Sequence, residues 1–145
     1  MEEDTLVFEA GNKVTLTPFR EFVNRGAEGH YVIKRLKNTA ALDDPMSKAT
    51  MKATLKLYEG REYDIFFEWT DDRLYCSELI WKMYKKSTGL DIGELRNLGD
   101  FDLTHPLVKQ KLNEYFGEDI PMEEKVISPE SIFQSPLLEL VEERN

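Results

Sequence analysis

The residue with the clearest chemical potential is Cys76, the only cysteine among the 145 residues. Apolar residues follow it at the i+3, i+4, i+7 and i+8 positions of one helical face, namely Leu79, Ile80, Met83 and Tyr84. Gly89 then supplies a left-handed stop. N–H groups in the first turn of a helix lack intrahelical partners and favour a thiolate over a thiol. The segment is therefore predicted to be an amphipathic helix with a nucleophilic sulfur at its start, on its core-facing side.

A structural role for Cys76 is the alternative. A lone cysteine on an apolar stripe is most often a small buried hydrophobe, because thiols pack well in protein cores. The position in the helix does not decide between the two roles.

The composition indicates a single domain spanning residues 1–145, with 41% hydrophobic residues available for a core. The 32% charged content and the net charge of −9 argue against nucleic acid as a partner, since phosphate binding needs clustered Lys and Arg. The acidic segments near the two ends, Glu2–Asp4 and Glu139–Glu143, are predicted to be solvated.

The cysteine count also limits the chemistry. One cysteine cannot form an intramolecular disulfide or a thiolate-rich zinc site, and we predict neither a metal nor a cofactor. No apolar run is long enough to form a transmembrane segment. Met1 is followed by acidic residues, which is not the pattern of a secretory leader.

Local patterns predict a mixture of strands and helices. Strands are expected at 6–10 and 13–17, as a hairpin about Gly11-Asn12, and at 30–36 and 63–69. Helices are expected at 18–23 with Thr17 as cap, at 47–58, after Cys76, and at 106–116, whereas 121–136 is expected to be irregular. The predicted class is α+β, because the strands and helices are segregated along the chain.

Several short motifs occur in the order in which one known family has them: Phe8-Glu9-Ala10, Leu16-Thr17-Pro18, Tyr63-Asp64, Trp69-Thr70-Asp71-Asp72 and Tyr75-Cys76-Ser77-Glu78-Leu79. On these residues the chain resembles the YiiX/YaeF-type permuted papain-like cysteine amidases, a branch of the NlpC-like superfamily. The likeness extends over residues 6–135.

The resemblance implies a permuted papain-like fold, with a small antiparallel sheet packed on helices. It implies that Cys76 is the nucleophile and that the Glu9 carboxylate orients a histidine. The implied partner is a peptide or an acylated small molecule, either a cell-wall peptide or an N-acyl, lipid-like compound. Tyr75, Trp69 and Tyr63 are possible lining residues, with core packing as the alternative. Relatives are often exported, which leaves the compartment of this chain open.

The histidine is where the chain departs from the family. In relatives it lies in a Ser-His-x-Gly strand shortly before the Phe-Glu-Ala strand, and we expect that the present chain is missing those N-terminal strands. His30 and His105 are expected to be a turn-edge and a helix-start residue instead of catalytic bases. The expectation is consistent with a fragment, with a start codon placed too far downstream, or with a natural short form that has lost activity.

Three hypotheses for the function follow. The leading one is a thiol hydrolase that cleaves an amide bond with Cys76. The second is a non-catalytic module of the same fold that binds a peptide or an acyl chain. The third is a structural domain in which Cys76 is inert.

Overall fold

The computed structural model describes residues 5–145, which form fourteen helices and strands. In chain order these are β1 (Leu6–Ala10), β2 (Val14–Pro18), α1 (Phe19–Asn24), β3 (Tyr31–Leu36), α2 (Ala40–Asp43), α3 (Pro45–Tyr58), β4 (Glu62–Tyr63), β5 (Arg73–Leu74), α4 (Cys76–Thr88), β6 (Arg96–Asn97), α5 (Pro106–Phe116), β7 (Lys125–Val126), α6 (Pro129–Phe133) and β8 (Leu138–Arg144). The mixture of helices and short strands confirms the α+β prediction.

The hairpin of β1 and β2 is confirmed, with an antiparallel register that pairs Glu9 with Thr15. Helix α1 follows directly, but the prediction that Thr17 caps it is wrong. Pro18 holds the N-cap position, and the Thr17 hydroxyl instead donates a hydrogen bond to Glu9 Oε1 at 2.9 Å. The Thr17 side chain therefore stabilises the β1–β2 pair and does not cap α1.

Residues 139–143, predicted to be a solvated segment, lie within β8, and 140–143 are exposed there. Strand β8 pairs antiparallel with β3, so the acidic side chains meet partners across the ribbon. Arg35 Nε lies 2.9 Å from Glu139 Oε1, and the Tyr31 hydroxyl donates to Glu142 Oε1 at 2.5 Å. Cross-strand pairs of this kind support a strand that its own charge density disfavours. Glu2–Asp4 lie outside the described residues.

The predicted aromatic strand at 63–69 is also wrong. Only Glu62 and Tyr63 are extended, and they pair in parallel with β5. The Asp64 carboxylate then accepts a hydrogen bond from the N–H of Phe66 at 2.9 Å, and Phe67 takes a left-handed φ of 54°. An Asp side chain that binds the backbone two residues on forms a turn, which ends the strand.

A small antiparallel sheet was expected, and the structure has small strand pairs, all antiparallel except β4–β5. Within residues 5–145 the strands form four separate two-stranded pairs, β1–β2, β3–β8, β4–β5 and β6–β7. The segment 121–136, expected to be irregular, contains β7 and α6.

Helix α4 lies between the two hydrophobic clusters of the core. Leu79 and Met83 pack in the first, with Ala10, Val14, Tyr58 and Leu74. Tyr75, directly before α4, packs in the second, with Leu36, Ile92, Ile127 and Ile132. The start of α4 is thus held from both sides. Among residues 5–145 no helix is both long and apolar enough to cross a membrane.

Candidate active site

Cys76 is the first residue of α4, and its side chain is exposed. This corrects the prediction of a core-facing sulfur and removes the interpretation of Cys76 as a buried hydrophobe. The residues that turn inward are Ser77, Glu78 and Leu79, each at most 2% exposed. Ile80, expected on the buried face, is 39% exposed. The thiol therefore combines access to solvent with the unpaired N–H groups of a helix start.

The turn that carries Cys76 is fixed by hydrogen bonds on both sides. The Ser77 hydroxyl donates to the carbonyl of Ile127 at 2.7 Å, and the N–H of Ile127 donates to the Tyr75 hydroxyl at 3.2 Å. Tyr75 is only 1% exposed, and burial raises the pKa of its phenol above the ordinary value. Tyr75 is thus a core residue that anchors the turn, which favours packing over a role in lining the site.

Cys76 opens onto an apolar groove of about 630 Å³. The groove is lined by side chains from β1, β3, α3, α4, α6 and β8, among them Phe8, Val32, Met51, Leu55, Ile80, Met83, Phe133 and Leu138. Lys34 is the one charged side chain in this lining, and its Nζ donates to the carbonyl of Phe133 at 2.5 Å. A groove of this kind suits a ligand with a long apolar part.

The structure places Tyr63 beside Cys76 and Trp69 elsewhere. Burial raises the pKa of the Tyr63 phenol above its ordinary value, and the neighbouring Cys76 and Asp64 raise this pKa further. The Trp69 ring packs edge-on against Trp81 at 5.4 Å between ring centroids, and the backbone N–H of Trp69 donates to Glu124 Oε1. Trp69 does not line the groove at Cys76.

Glu9 lies on the opposite face of β1 from the groove, since Phe8 and Ala10 alternate with it and pack toward the core. Its Oε1 accepts hydrogen bonds from Thr17 and, at 2.5 Å, from Arg25 Nη2. Arg25 and Tyr63 in turn line one surface depression of about 650 Å³. Neither Glu9 nor Cys76 lines this depression.

Neither histidine lines the groove. His30 is exposed beside the start of β3, and His105 lies at the start of α5, where its Nδ1 accepts a hydrogen bond from the N–H of Leu107 at 3.2 Å. Both positions agree with the turn-edge and helix-start roles expected from the sequence.

A buried charge network lies under the first turn of α4, and the sequence did not predict that it is buried. Helical spacing puts Glu78 off the apolar stripe, near the exposed face of α4. In the structure, however, Glu78 is fully buried and Lys82 is 7% exposed. Lys82 Nζ donates to Glu78 Oε2 and Asp71 Oδ1, each at 2.9 Å. Glu-Lys spacing at i, i+4 was the available signal, but it is more often found on solvated faces.

The pKa values of the two carboxyl groups in this network are shifted in opposite net directions. Burial raises the pKa of Glu78 to about 7, although Lys82 lowers it. Burial also raises the pKa of Asp71, but the hydrogen bond and charge of Lys82 outweigh this effect and hold the net pKa below its ordinary value.

Comparison with known proteins agrees with this geometry. Residues 1–142 match the family model described as permuted papain-like amidase enzyme, YaeF/YiiX, C92 family. The chain belongs to this family.

Two relatives illustrate the similarity. The chain is 41% identical over 135 residues to YiiX of Escherichia coli strain K12, a protein described as uncharacterized. The match covers 93% of this chain, which spans 65% of the length of that relative. The crystal structure of yiiX from Escherichia coli O157:H7 superposes with a TM-score of 0.85 at 40% identity, covering 96% of this chain and 76% of the other. The permuted papain-like fold is thereby confirmed.

The solved relative is described as a metalloprotein. Within residues 5–145, however, no group of three or more His, Cys, Asp and Glu side chains lies close enough together to hold a metal ion. The described residues therefore do not fit such a site, and we derive no chemical step through a metal.

Proposed function

We propose that the chain is a thiol hydrolase domain that cleaves the amide bond of an N-acylated substrate, with Cys76 as the nucleophile. The observation that carries this proposal is the exposed Cys76 at the start of α4, at the edge of the apolar groove. Membership of an amidase family supplies the bond type, and the groove supplies a place for the acyl chain.

The chemistry proceeds in two steps. The Cys76 thiolate attacks the amide carbonyl, the C–N bond breaks, and the amine departs with a proton to leave a thioester on the sulfur. Water then hydrolyses the thioester and returns the thiol. N–H groups in the first turn of α4 stabilise the oxyanion that develops on the carbonyl. Tyr63, whose phenol is influenced by the neighbouring Cys76, lies where it can contact the reacting group.

An imidazole has two tasks in such a reaction: it holds the thiolate as an ion pair and protonates the departing amine. Neither histidine of the described chain lines the groove. We place the site for an imidazole ring in the depression shared by Arg25 and Tyr63, with Glu9 as the carboxylate that orients it. A cysteine without this partner is mostly protonated at neutral pH, so we expect slow turnover from the 145 residues alone.

The test is hydrolysis of a long-chain acyl p-nitroanilide by the purified chain, with and without added imidazole. We expect slow p-nitroaniline release that rises with imidazole concentration and is absent in Cys76→Ala. Equal rates for the two proteins, with imidazole present, would refute Cys76 as the nucleophile.

A Glu9→Gln variant tests the carboxylate separately. It keeps an acceptor for the Thr17 hydroxyl but loses the charge, and the imidazole-dependent part of the rate is expected to fall while the imidazole-independent part is unchanged. If both parts are unchanged, Glu9 acts only in the ion pair with Arg25.

A second candidate is a non-catalytic module that binds an acyl chain in the same groove. It is favoured by one observation, the position of both histidines away from Cys76. Binding of the acyl compound without any p-nitroaniline release, even at high imidazole, would support this alternative.

A further inference from the structure

Lys82 is an unusual residue for the middle of a helix packed into a core. It is 7% exposed, and its ammonium group donates to three acceptors: the Thr70 carbonyl at 2.7 Å, Asp71 Oδ1 at 2.9 Å and Glu78 Oε2 at 2.9 Å. It also lies 4.6 Å from the ring centroid of Trp69. Three N–H donors with three acceptors are fully satisfied. Burying such a group is expensive, and a buried ion pair is weak evidence for a role in stability.

The acceptors of Lys82 belong to the two segments that approach the nucleophile. Glu78 is fully buried, and its second oxygen accepts from the N–H of Tyr75 at 3.2 Å, directly before Cys76. Thr70 and Asp71 lie in the loop that connects β4 to β5, and this loop starts beside Tyr63, the neighbour of Cys76. One ammonium group therefore joins the helix start to the loop behind it.

We propose that Lys82 is a positioning residue, which acts through Glu78 and Asp71 to fix the first turn of α4 against the loop 64–72 and thereby sets the reactivity of Cys76. The inference deepens the proposed function but concerns thiol reactivity, which is measurable without turnover. The groups that face Glu78 are Lys82 on its own helix and Asp64 from the segment after β4, while Asp71 faces Lys82.

The experiment is the pH–rate profile for alkylation of Cys76 by iodoacetamide in Lys82→Met, which keeps the length of the side chain and removes its charge. We expect the midpoint to move to higher pH and the rate at neutral pH to fall about tenfold, because the first turn loses its anchor. Lys85→Met is the matched control. It removes the same charge from α4, but Lys85 is exposed and pairs with Asp91 at 2.7 Å, away from the first turn.

An unchanged profile in folded Lys82→Met would overturn the proposal, as would an equal shift in Lys85→Met. Should Lys82→Met fail to fold, the double variant Glu78→Gln with Lys82→Met carries the test, because it buries no unpaired charge and retains an acceptor for the Tyr75 N–H. It still lacks the ammonium group that joins α4 to Thr70 and Asp71, so we expect the same shift to higher pH. A wild-type profile in this double variant would overturn the proposal.

If Lys82→Met shifts the alkylation profile of Cys76 but no amide is hydrolysed by the unmodified protein, the proposed function fails and the role of Lys82 stands. If hydrolysis occurs and the Lys82→Met profile is unchanged, the opposite holds. The two ideas are thereby separated by one set of variants.

Discussion

Lengthening the acyl chain of a ligand is expected to tighten its binding in the groove beside Cys76. The lining is apolar apart from Lys34 and a few backbone and hydroxyl groups, and the groove holds about 630 Å³. Each methylene moved from water into such a surface contributes about 0.8 kcal/mol. This corresponds to a Kd about fourfold lower per methylene, until the chain end reaches the far wall.

The assay is protection of Cys76 from iodoacetamide by a series of N-acylglycines, from hexanoyl to dodecanoyl. The protecting concentration gives the Kd for each ligand. Ile80→Glu places a carboxylate in the lining at a side chain that is already 39% exposed, so the fold should survive while the chain-length dependence is lost. Leu57→Glu, at a 53% exposed position on α3 outside the groove, is the matched control.

A Kd that is the same for hexanoyl and dodecanoyl ligands would refute the reasoning, because no apolar surface would then be buried by the longer chain. Equal loss of chain-length dependence in the Leu57→Glu control would show that the effect of Ile80→Glu is not local.

Two further predictions concern stability. Because burial raises the pKa of Glu78 to about 7 from 4.5, the native state keeps a proton that the unfolded state has lost between these values, so the free energy of unfolding falls as pH rises through this window. The free energy of unfolding is expected to fall by about 3 kcal/mol across this window. Urea unfolding of Glu78→Gln should lack this part of the pH dependence. The same dependence of the unfolding free energy on pH in both proteins would contradict the prediction. Gly93→Ala should destabilise by about 1–3 kcal/mol, because φ is +88° and an added Cβ would lie 3.0 Å from Ile127 Cδ1 and from backbone atoms of Ser131 and Ile132. Gly60→Ala, with the same φ and nothing within 4 Å, isolates the cost of φ alone, and equal losses would show that the contacts at Gly93 do not matter.

The features that the sequence predicted well depend on local signals. The hairpin follows from the Gly11-Asn12 turn between two β-branched runs, and α4 follows from its apolar spacing and the stop at Gly89, which has a φ of 74°. These signals act within a few residues, so tertiary contacts had little opportunity to override them.

The predictions that failed depended on contacts across the chain. The aromatic run after Tyr63 has strand propensity, but the Asp64 side chain turns the backbone at Phe66. Strand β8 was not predicted, because its partner β3 lies about a hundred residues earlier and no local signal in the acidic segment indicates the pairing. The tendency of a residue to form a strand depends largely on the neighbouring strands and side chains that it packs against, and the sequence alone does not reveal these.

The sequence also predicted the wrong buried residues in the first turn of α4, again because contacts with distant parts of the chain decide which residues are buried. Helical periodicity placed Cys76 on the apolar stripe and Glu78 near the surface. In the structure two clusters and the loop carrying Asp71 enclose α4 at its start, so Glu78 is buried with Lys82 and Cys76 faces the groove. Helical periodicity predicts one buried face, whereas a helix that packs against two clusters buries side chains over a larger part of its circumference.

The most direct test of Cys76 as an acyl-accepting nucleophile is the mass of the protein after incubation with dodecanoyl p-nitroanilide and imidazole, followed by an acid quench. The account predicts one added dodecanoyl group, located by peptide mapping on Cys76, released by hydroxylamine and absent from Cys76→Ser. A dodecanoyl group on any other residue, or an unmodified Cys76 while p-nitroaniline is released equally by Cys76→Ser, would contradict it.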